Sequence, residues 1–183
     1  MNVRFATSNR HKFEEASRIA SKFGLRLEWL KGERIEIQGE ELGEIAEYSL
    51  RTIPRRYDPV FVEDAGLFIR ALNWFPGPYS SYVFGKLGNR GILKLMEGID
   101  DRYAEFRSAV ALRFRGFVAI FFGVAKGSIA FEERGRHGFG FDPIFVPEGS
   151  ELTFSELGDD KDRYSHRAKS IASLSRFLLH RTF

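Results

Sequence analysis

The chain contains no cysteine, so disulfide bonds and thiolate metal sites are excluded. The chain also lacks a large excess of either charge. It has 28 lysine and arginine residues and 25 aspartate and glutamate residues, which leaves a net charge of +3 at pH 7. This mild excess slightly favours anionic ligands and does not by itself indicate a nucleic-acid-binding surface.

Long apolar runs are missing as well. The stretch from Phe117 to Ala125 is interrupted by Gly123 and falls far short of membrane-spanning length. The first residues, Met1 to Ala6, are too few and too polar for a signal peptide. We therefore expect a cytoplasmic protein without a membrane partner.

Phenylalanine, in contrast, is abundant, with 19 copies among 183 residues. Hydrophobic residues make up 43% and charged residues 29%, which is the balance of a globular chain. The length fits one domain, with or without two lobes. We expect most phenylalanines to fill the core and one or two to stack on a planar ligand.

Periodicity predicts a mixture of helices and strands. Helical spacing covers 10–23, 44–52 and 165–180, with two shorter helices at 81–87 and 90–97; short strands are predicted at 3–6, 25–29 and 60–63. Alternating residues over 106–115 and 117–124 predict a long hairpin around Gly116. The fold class is therefore α/β or α+β with a mixed sheet, of which we predict α/β, and the long hairpin argues against a purely parallel sheet.

The first loop joins a strand to a helix and consists of Thr7, Ser8, Asn9, Arg10, His11 and Lys12. Ser8 or Asn9 can cap the helix, whose N-terminal N–H groups and dipole favour an anion. Lys12 falls in the first turn, where the dipole disfavours a cation that has no anion to meet. The loop is thus either a phosphate-binding loop or an ordinary capped helix with a solvated lysine.

Two acidic segments are candidates for a metal site. Glu36 precedes Gln38-Gly39, and Glu63 and Asp64 follow the apolar segment 60–62. Oxygen ligands at the end of a buried strand suit Mg²⁺, and one carboxylate can also take a proton from an attacking water. The alternative is a strand that simply ends in a polar turn.

A glycine-rich segment, His137 to Pro143, carries Phe139, Gly140, Phe141 and Asp142. Glycines beside an aromatic residue let the backbone approach a flat ligand, and Asp142 can accept hydrogen bonds from ring N–H groups. The alternative is a tight turn before the strand that begins near Ile144.

The last cationic segment runs from Lys161 to Arg167. Ser165 is a suitable N-cap for the final helix, so His166 and Arg167 fall in a first turn that disfavours cations. A nucleotide base or phosphate explains this placement, whereas the alternative is a solvated basic helix start.

Together these segments resemble the inosine triphosphate pyrophosphatase family, the non-standard purine nucleoside triphosphate pyrophosphatases. The matching segments, in order along the chain, are Thr7-Ser8-Asn9 with Lys12, Gln38-Gly39, Glu63-Asp64-Ala65-Gly66-Leu67, Pro76-Gly77-Pro78-Tyr79, Gly138-Phe139-Gly140-Phe141-Asp142-Pro143-Ile144-Phe145 and Ser165-His166-Arg167. Several motifs in order are far more specific than any one of them.

The resemblance implies an acid-anhydride hydrolase that converts ITP, dITP and XTP to the monophosphate and pyrophosphate with Mg²⁺, and so cleanses the nucleotide pool. It also implies a homodimer that does not bind nucleic acid. The implied fold is one domain over residues 1–183, elongated and two-lobed, with a central mixed, twisted sheet flanked by helices and a cleft between the lobes.

The resemblance also assigns roles to residues. The loop from Thr7 to Lys12, together with Lys161, holds phosphates; Glu36 and Asp64 bind metal, with Glu63 a further possible ligand. Asp64 is the base for the attacking water, whereas Phe139 to Asp142, His166 and Arg167 receive the purine, whose 6-keto group sets selectivity.

Two departures from the family pattern bear on the substrate contacts. Ala65 stands where many relatives have serine, so any hydroxyl contact there is absent. Arg51 is the basic residue nearest to a helix lysine that many relatives carry.

Two other functions stay open from the sequence. One is a pyrophosphatase that prefers pyrimidine or modified nucleotides. The other is a nucleic-acid-binding module that uses Arg107, Arg113 and Arg115 on an exposed strand face, for which the alternative is a solvated sheet face.

Overall fold

A computed structural model describes residues 1–32, 35 and 37–180. The strands are β1 (Asn2–Ala6), β2 (Arg26–Leu30), β3 (Val60–Ile69), β4 (Pro76–Gly77), β5 (Tyr103–Phe114), β6 (Phe117–Ile129) and β7 (Phe145–Pro147). The α-helices are α1 (Arg10–Ser21), α2 (Leu42–Arg51), α3 (Ser80–Leu95), α4 (Phe154–Leu157) and α5 (His166–His180).

The strands form one mixed sheet in the order β2-β1-β3-β5-β6-β7, with β4 paired to β3. Strand β1 is parallel to both β2 and β3, whereas β7 is antiparallel to β6 and β4 to β3. Helices flank this sheet, so the predicted α/β class with a central mixed sheet is confirmed.

The chain begins with a β–α–β unit, because α1 connects the parallel strands β1 and β2. The register pairs Val3 with Leu27, and on the other side of β1 it pairs Phe5 with Phe61 of β3. Parallel strands present their carboxyl ends at one edge of a sheet, where ligands of α/β proteins commonly bind. The loop after β1 therefore lies at a favourable edge.

The predicted hairpin is confirmed, since β5 and β6 are neighbours joined only by residues 115–116. The predicted end of β3 at Glu63 is wrong, because the strand continues to Ile69. Ala65-Gly66 resembles a turn in sequence, but Gly66 is needed for close packing: a Cβ there would lie 2.1 Å from the carbonyl oxygen of Gly77 in β4. The Glu63-Asp64 pair is consequently in mid-strand.

Helix α3 consists of two helical segments that meet at Gly88, whose backbone is not helical (φ 61°, ψ −169°). The two short helices expected near 81–87 and 90–97 are therefore confirmed. Within the described residues, no helix combines the length and apolar composition needed to cross a membrane.

The described residues divide into two compact units. The first unit contains residues 1–64, 108–123 and those from 166 onward. Its core includes Phe5 and Phe61, whose rings stack 4.4 Å apart, and the fully buried Ile171, Leu174 and Leu178 of α5. The inward face predicted for this helix is therefore confirmed.

The second unit contains residues 65–107 and 124–165 and has its own core. Phe106, Phe145 and Phe154 pack there with ring centroids 4.9 to 5.8 Å apart. Most phenylalanines were predicted to fill the core, and phenylalanine rings do pack in the cores of both units.

Arg113 of β5 closes the C-terminal end of α2 in the first unit. Its buried guanidinium donates to the carbonyl oxygens of Leu50, Ile53 and Pro54 and to Asp58 Oδ1 at 2.7 Å. The last carbonyls of a helix have no partner within the helix, and a cation there also complements the helix dipole. The arginine thus gives these carbonyls a charged donor, in addition to the backbone N–H groups of Ile53 and Tyr57 that bond to Leu50 and Pro54.

Arg113→Met is expected to lower the free energy of unfolding by about 2–3 kcal/mol, because it leaves these acceptors without their charged donor. Urea denaturation measures the loss. Arg115→Met, at an exposed neighbouring position, is the control and should stay within about 0.5 kcal/mol of the wild-type value. Equal effects of the two substitutions would contradict the capping role.

Candidate active site

The first loop is built around a capped helix start. Asn9 is the N-cap, and its side chain accepts a hydrogen bond from the Lys12 backbone N–H at 3.2 Å. Thr7 Oγ1 accepts from the Asn9 N–H, while the indole of Trp29 donates to the Thr7 carbonyl at 2.7 Å. The loop therefore has a fixed shape, and of the two predicted caps Asn9 is the one used.

Lys12 meets an anion, as its position in the first turn requires. The ammonium lies 3.4 Å from Glu63 Oε2, and the lysine side chain is only 15% exposed. The sequence predicted a ligand phosphate as the partner, whereas the structure supplies a carboxylate of the protein. This pairing fixes the ammonium at the carboxyl edge of β1.

Glu63 is the centre of a buried group of charged and hydroxyl side chains, hereafter the Glu63 cluster. Its members, all in the first unit, are Glu63, Lys12, Glu15, Ser108, Arg167 and Ser170. Arg167 Nε donates to both Glu63 oxygens, at 2.9 and 3.1 Å, and its terminal nitrogen donates to Glu15. Ser108 donates to Glu63 Oε1 at 2.9 Å and contacts Ser170.

The charges of this cluster hold each other ionised. Burial by itself would raise the pKa of Glu63, but the Arg167 guanidinium and the Lys12 ammonium hold it well below its usual range. Burial would likewise lower the pKa of Arg167, but Glu63 and Glu15 raise it above its ordinary value. Glu63 and Arg167 therefore stabilise each other's charged form.

Asp64 and Ala65, the next residues along β3, are half-buried. The predicted ligand Glu36 lies outside the described residues. Among those that are described, no group of three or more histidines and acids is arranged to hold a metal. Magnesium commonly takes one or two carboxylates, with waters and substrate phosphates completing its shell, so Asp64 fits such a site.

In the second unit, Asp142 organises the segment from His137 to Pro143. Asp142 Oδ2 accepts from the Lys161 ammonium at 2.7 Å and from the Phe139 backbone N–H at 3.0 Å. Asp142 and Lys161 are both almost fully buried. The carboxylate thereby fixes the backbone that carries Phe139.

The two aromatic residues of this segment differ in exposure. Phe141 is 3% exposed and packs edge-on against Phe84, with the centroids 5.2 Å apart. Phe139 is half-buried, and the Lys161 ammonium lies 5.4 Å from the centre of its ring. The geometry favours Phe139 over Phe141 as the ring that meets a flat ligand.

The remaining predicted residues fall into two groups. Ser8, Arg10, His11 and Arg51 are exposed, and the arginines form ion pairs with Glu14 and Glu47 one helical turn away. His166 is buried at the start of α5, and its charge contributes to the field at Glu63. The phosphate role predicted for Arg51 stays a prediction.

The β5 arginines do not present a row of exposed cations. Arg113 is buried against Asp58, and Arg107 is paired with Glu105 at 2.7 Å while stacking on Phe68 and Trp74. Nucleic-acid binding by this strand would require cations that face phosphates. The arrangement therefore disfavours the nucleic-acid-binding alternative.

Sequence reasoning missed Glu15, Ser108 and Ser170. The available signal was a polar residue at an apolar position: Ser108 shares the alternating register of Phe106 and Val110, and Glu15 precedes Ala16 on the buried side of α1. Such positions predict burial but do not identify the partner.

Known proteins match this chain over nearly its whole length. A model of the Ham1 family matches residues 3–177. A dITP/XTP pyrophosphatase of Korarchaeum cryptofilum is 51% identical over 176 residues, which cover 96% of this chain and 95% of that protein. One of Methanothermobacter marburgensis is 51% identical over 185 residues, covering 97% and 96%.

A solved structure is similar as well. A HAM1 protein from Coxiella burnetii superimposes with a TM-score of 0.83 at 30% identity, covering 98% of this chain and 99% of the other. Sequence and fold thus agree over nearly the full length.

Proposed function

The chain belongs to the Ham1 family, and from that premise we propose that it hydrolyses ITP, dITP and XTP to the nucleoside monophosphate and pyrophosphate. It is a hydrolase of non-standard purine nucleoside triphosphates, the activity for which its full-length relatives are named. The observation that carries the proposal is the loop after β1, where Lys12 is fixed beside acids of β3.

The triphosphate is assigned to this loop. The N-terminus of α1 offers backbone N–H groups and a positive dipole end, and Lys12 adds a charge that the Glu63 contact holds in place. Arg51 and Lys161 are further cations proposed for the phosphates. Fixed positive charge of this kind stabilises the charge that develops when a phosphate bond breaks.

Asp64 is proposed as the base that takes a proton from the attacking water, which adds to the α-phosphorus and expels pyrophosphate. Asp64, with Glu36 from outside the described residues, is proposed to hold Mg²⁺. The ion, when bound, supplies positive charge that polarises the phosphate oxygens. Glu63 is a possible further ligand.

The purine is assigned to the Phe139 segment and to the His166-Arg167 pair. Phe139 offers a half-buried ring. Asp142, whose Oδ2 already bonds to the Lys161 ammonium and the Phe139 N–H, holds this ring in place and is also proposed as an acceptor for ring N–H groups. His166 and Arg167 are donors suited to a 6-keto oxygen, and a site built around donors rejects adenine because its amino group leaves them unpaired.

Gly138→Ala is expected to raise KM for ITP about tenfold, since small misplacements of a positioned group are costly. The Gly138 backbone has φ +78°, and an added Cβ would lie 2.1 Å from Asp142 Oδ2. Gly149→Ala is the matched control outside this segment: its φ is +85°, but the atom nearest to the new Cβ beyond its chain neighbours is on Tyr164 at 3.8 Å, an ordinary contact. Initial-rate measurements compare the two variants, and equal KM values would contradict a role for Asp142.

A panel of nucleotides tests the proposal. With Mg²⁺, the chain should release pyrophosphate from ITP, dITP and XTP much faster than from ATP, GTP or dUTP. Preference for a pyrimidine or modified nucleotide would favour the enzymatic alternative instead. No hydrolysis of any triphosphate would reject the proposed activity.

A homodimer is also proposed, on the family resemblance alone. Light scattering coupled to size-exclusion chromatography should give twice the mass of one chain. A single-chain mass at micromolar concentration would reject it.

A further inference from the structure

Glu63 is only a possible further ligand in the chemistry proposed above, although among the described residues of the first unit it is the most deeply buried charged side chain. It is 0% exposed and lies in mid-strand on β3. An ionised carboxylate in such a place is costly unless donors surround it. The identity of those donors indicates its role.

The lone pairs of Glu63 are occupied by the protein. Oε1 accepts from Arg167 Nε and from Ser108 Oγ, each at 2.9 Å. Oε2 faces Arg167 Nε at 3.1 Å and the Lys12 ammonium at 3.4 Å. A carboxylate has about four acceptor positions. Three protein donors already share those of Glu63, with the single Nε hydrogen of Arg167 bifurcated between the two oxygens, whereas a magnesium ligand must turn an oxygen toward the ion.

We propose that Glu63 is a positioning residue rather than a metal ligand: its buried carboxylate fixes the Lys12 ammonium, and the hydroxyl of Ser108 fixes the orientation of that carboxylate. The inference rests on the proposed function, because that function assigns the triphosphate to Lys12. It goes further by assigning the placement of Lys12 to Glu63 and Ser108.

The hydroxyl pair ties this arrangement to α5. Ser108 Oγ lies 2.9 Å from Ser170 Oγ, and because Ser108 gives its one proton to Glu63, Ser170 is the donor in this pair. Both serines are buried. The pair therefore links β5 to α5, the helix that carries Arg167.

Glu63→Gln keeps the shape of the side chain and removes its charge. Lys12 then loses the ion pair that places it, so kcat for ITP should fall roughly a hundredfold. Removing a negative charge beside a cation does not weaken the attraction for phosphate. Affinity for metal-free inorganic tripolyphosphate, measured by calorimetry, should therefore be unchanged or higher.

Ser108→Ala keeps the charge and removes only the orienting hydrogen bond. We expect kcat to fall about fivefold with KM unchanged, as for loss of one hydrogen bond to a charged group. Ser108→Thr retains the hydroxyl and should restore kcat. Ser175→Ala is the matched control, because Ser175 is buried on α5 and its hydroxyl has no hydrogen-bond partner among the described residues.

Binding of Mn²⁺, followed by electron paramagnetic resonance, separates positioning from metal ligation. Wild-type and Glu63→Gln chains should bind Mn²⁺ equally. Weaker Mn²⁺ binding by Glu63→Gln would overturn the inference, as would full kcat in that variant or equal effects of Ser108→Ala and Ser175→Ala.

These outcomes are distinct from failure of the proposed function. If the wild-type chain hydrolyses no triphosphate, the function fails. The Mn²⁺ and tripolyphosphate measurements do not depend on hydrolysis and still decide the role of Glu63.

Discussion

Asp64→Asn is expected to lower kcat for ITP by roughly a thousandfold, within the range for loss of a positioned general base. The amide is nearly isosteric with the carboxylate, but it cannot take a proton from the attacking water and is a poorer ligand for a hard cation such as Mg²⁺. Because Asp64 is half-buried rather than enclosed, the variant should fold. Pyrophosphate release under saturating ITP measures the loss.

Asp160→Asn is the control for this substitution. Asp160 is exposed and lies 3.6 Å from Arg163 in a solvent-exposed ion pair. Its kcat should equal that of the wild type. Full activity in Asp64→Asn, with thermal melting confirming a folded chain, would remove Asp64 as the base.

Arg167→Met is expected to have the largest effect on stability. Arg167 is 3% exposed and its guanidinium holds both Glu63 and Glu15, which are 0% and 7% exposed. Truncating one partner of a buried ion pair costs about 3–5 kcal/mol, because a charge stays buried without compensation. Here two carboxylates lose their guanidinium, so the loss in unfolding free energy should reach that range.

The loss should depend on pH in a defined direction. In the wild type the pKa of Glu63 is held well below its ordinary value of 4.5, so its stabilising contribution is present above pH 4.5 and is lost as the pH falls toward the folded-state pKa. Without Arg167, burial favours the protonated form of Glu63 and so raises its pKa. A neutral carboxyl group costs less free energy to bury than a carboxylate. The difference in unfolding free energy between the wild type and Arg167→Met, hereafter the stability gap, should therefore become smaller as the pH falls from about 7 to 4.

Urea denaturation across this pH range measures the gap. Lys169→Met, at an exposed position on the same helix, should cost less than about 0.5 kcal/mol and show no such narrowing. A gap that is small at neutral pH, or that widens in acid, would contradict the assigned network.

Local periodicity was sufficient for part of the fold. The β1–α1–β2 unit and the β5–β6 hairpin follow from spacing within each segment. Strand β3 did not, because Ala65-Gly66 resembles a turn, and only the approach of Gly77 explains why a glycine stands inside the strand. That constraint comes from tertiary packing.

The same limit applies to the site. The unfavourable position of Lys12 indicated that an anion lies near it, and Glu63 was already a candidate. Their pairing was hidden because the partners of Glu63 are remote: Ser108 is 45 residues away and Arg167 is 104. The sequence thus identified a charged site, while its internal connections required the fold.

The products of ITP hydrolysis in water labelled with heavy oxygen test the central claim most directly. We expect IMP and pyrophosphate, with the label in the phosphate of IMP, because the water adds to the α-phosphorus. IDP with free phosphate, or label in pyrophosphate, would contradict it.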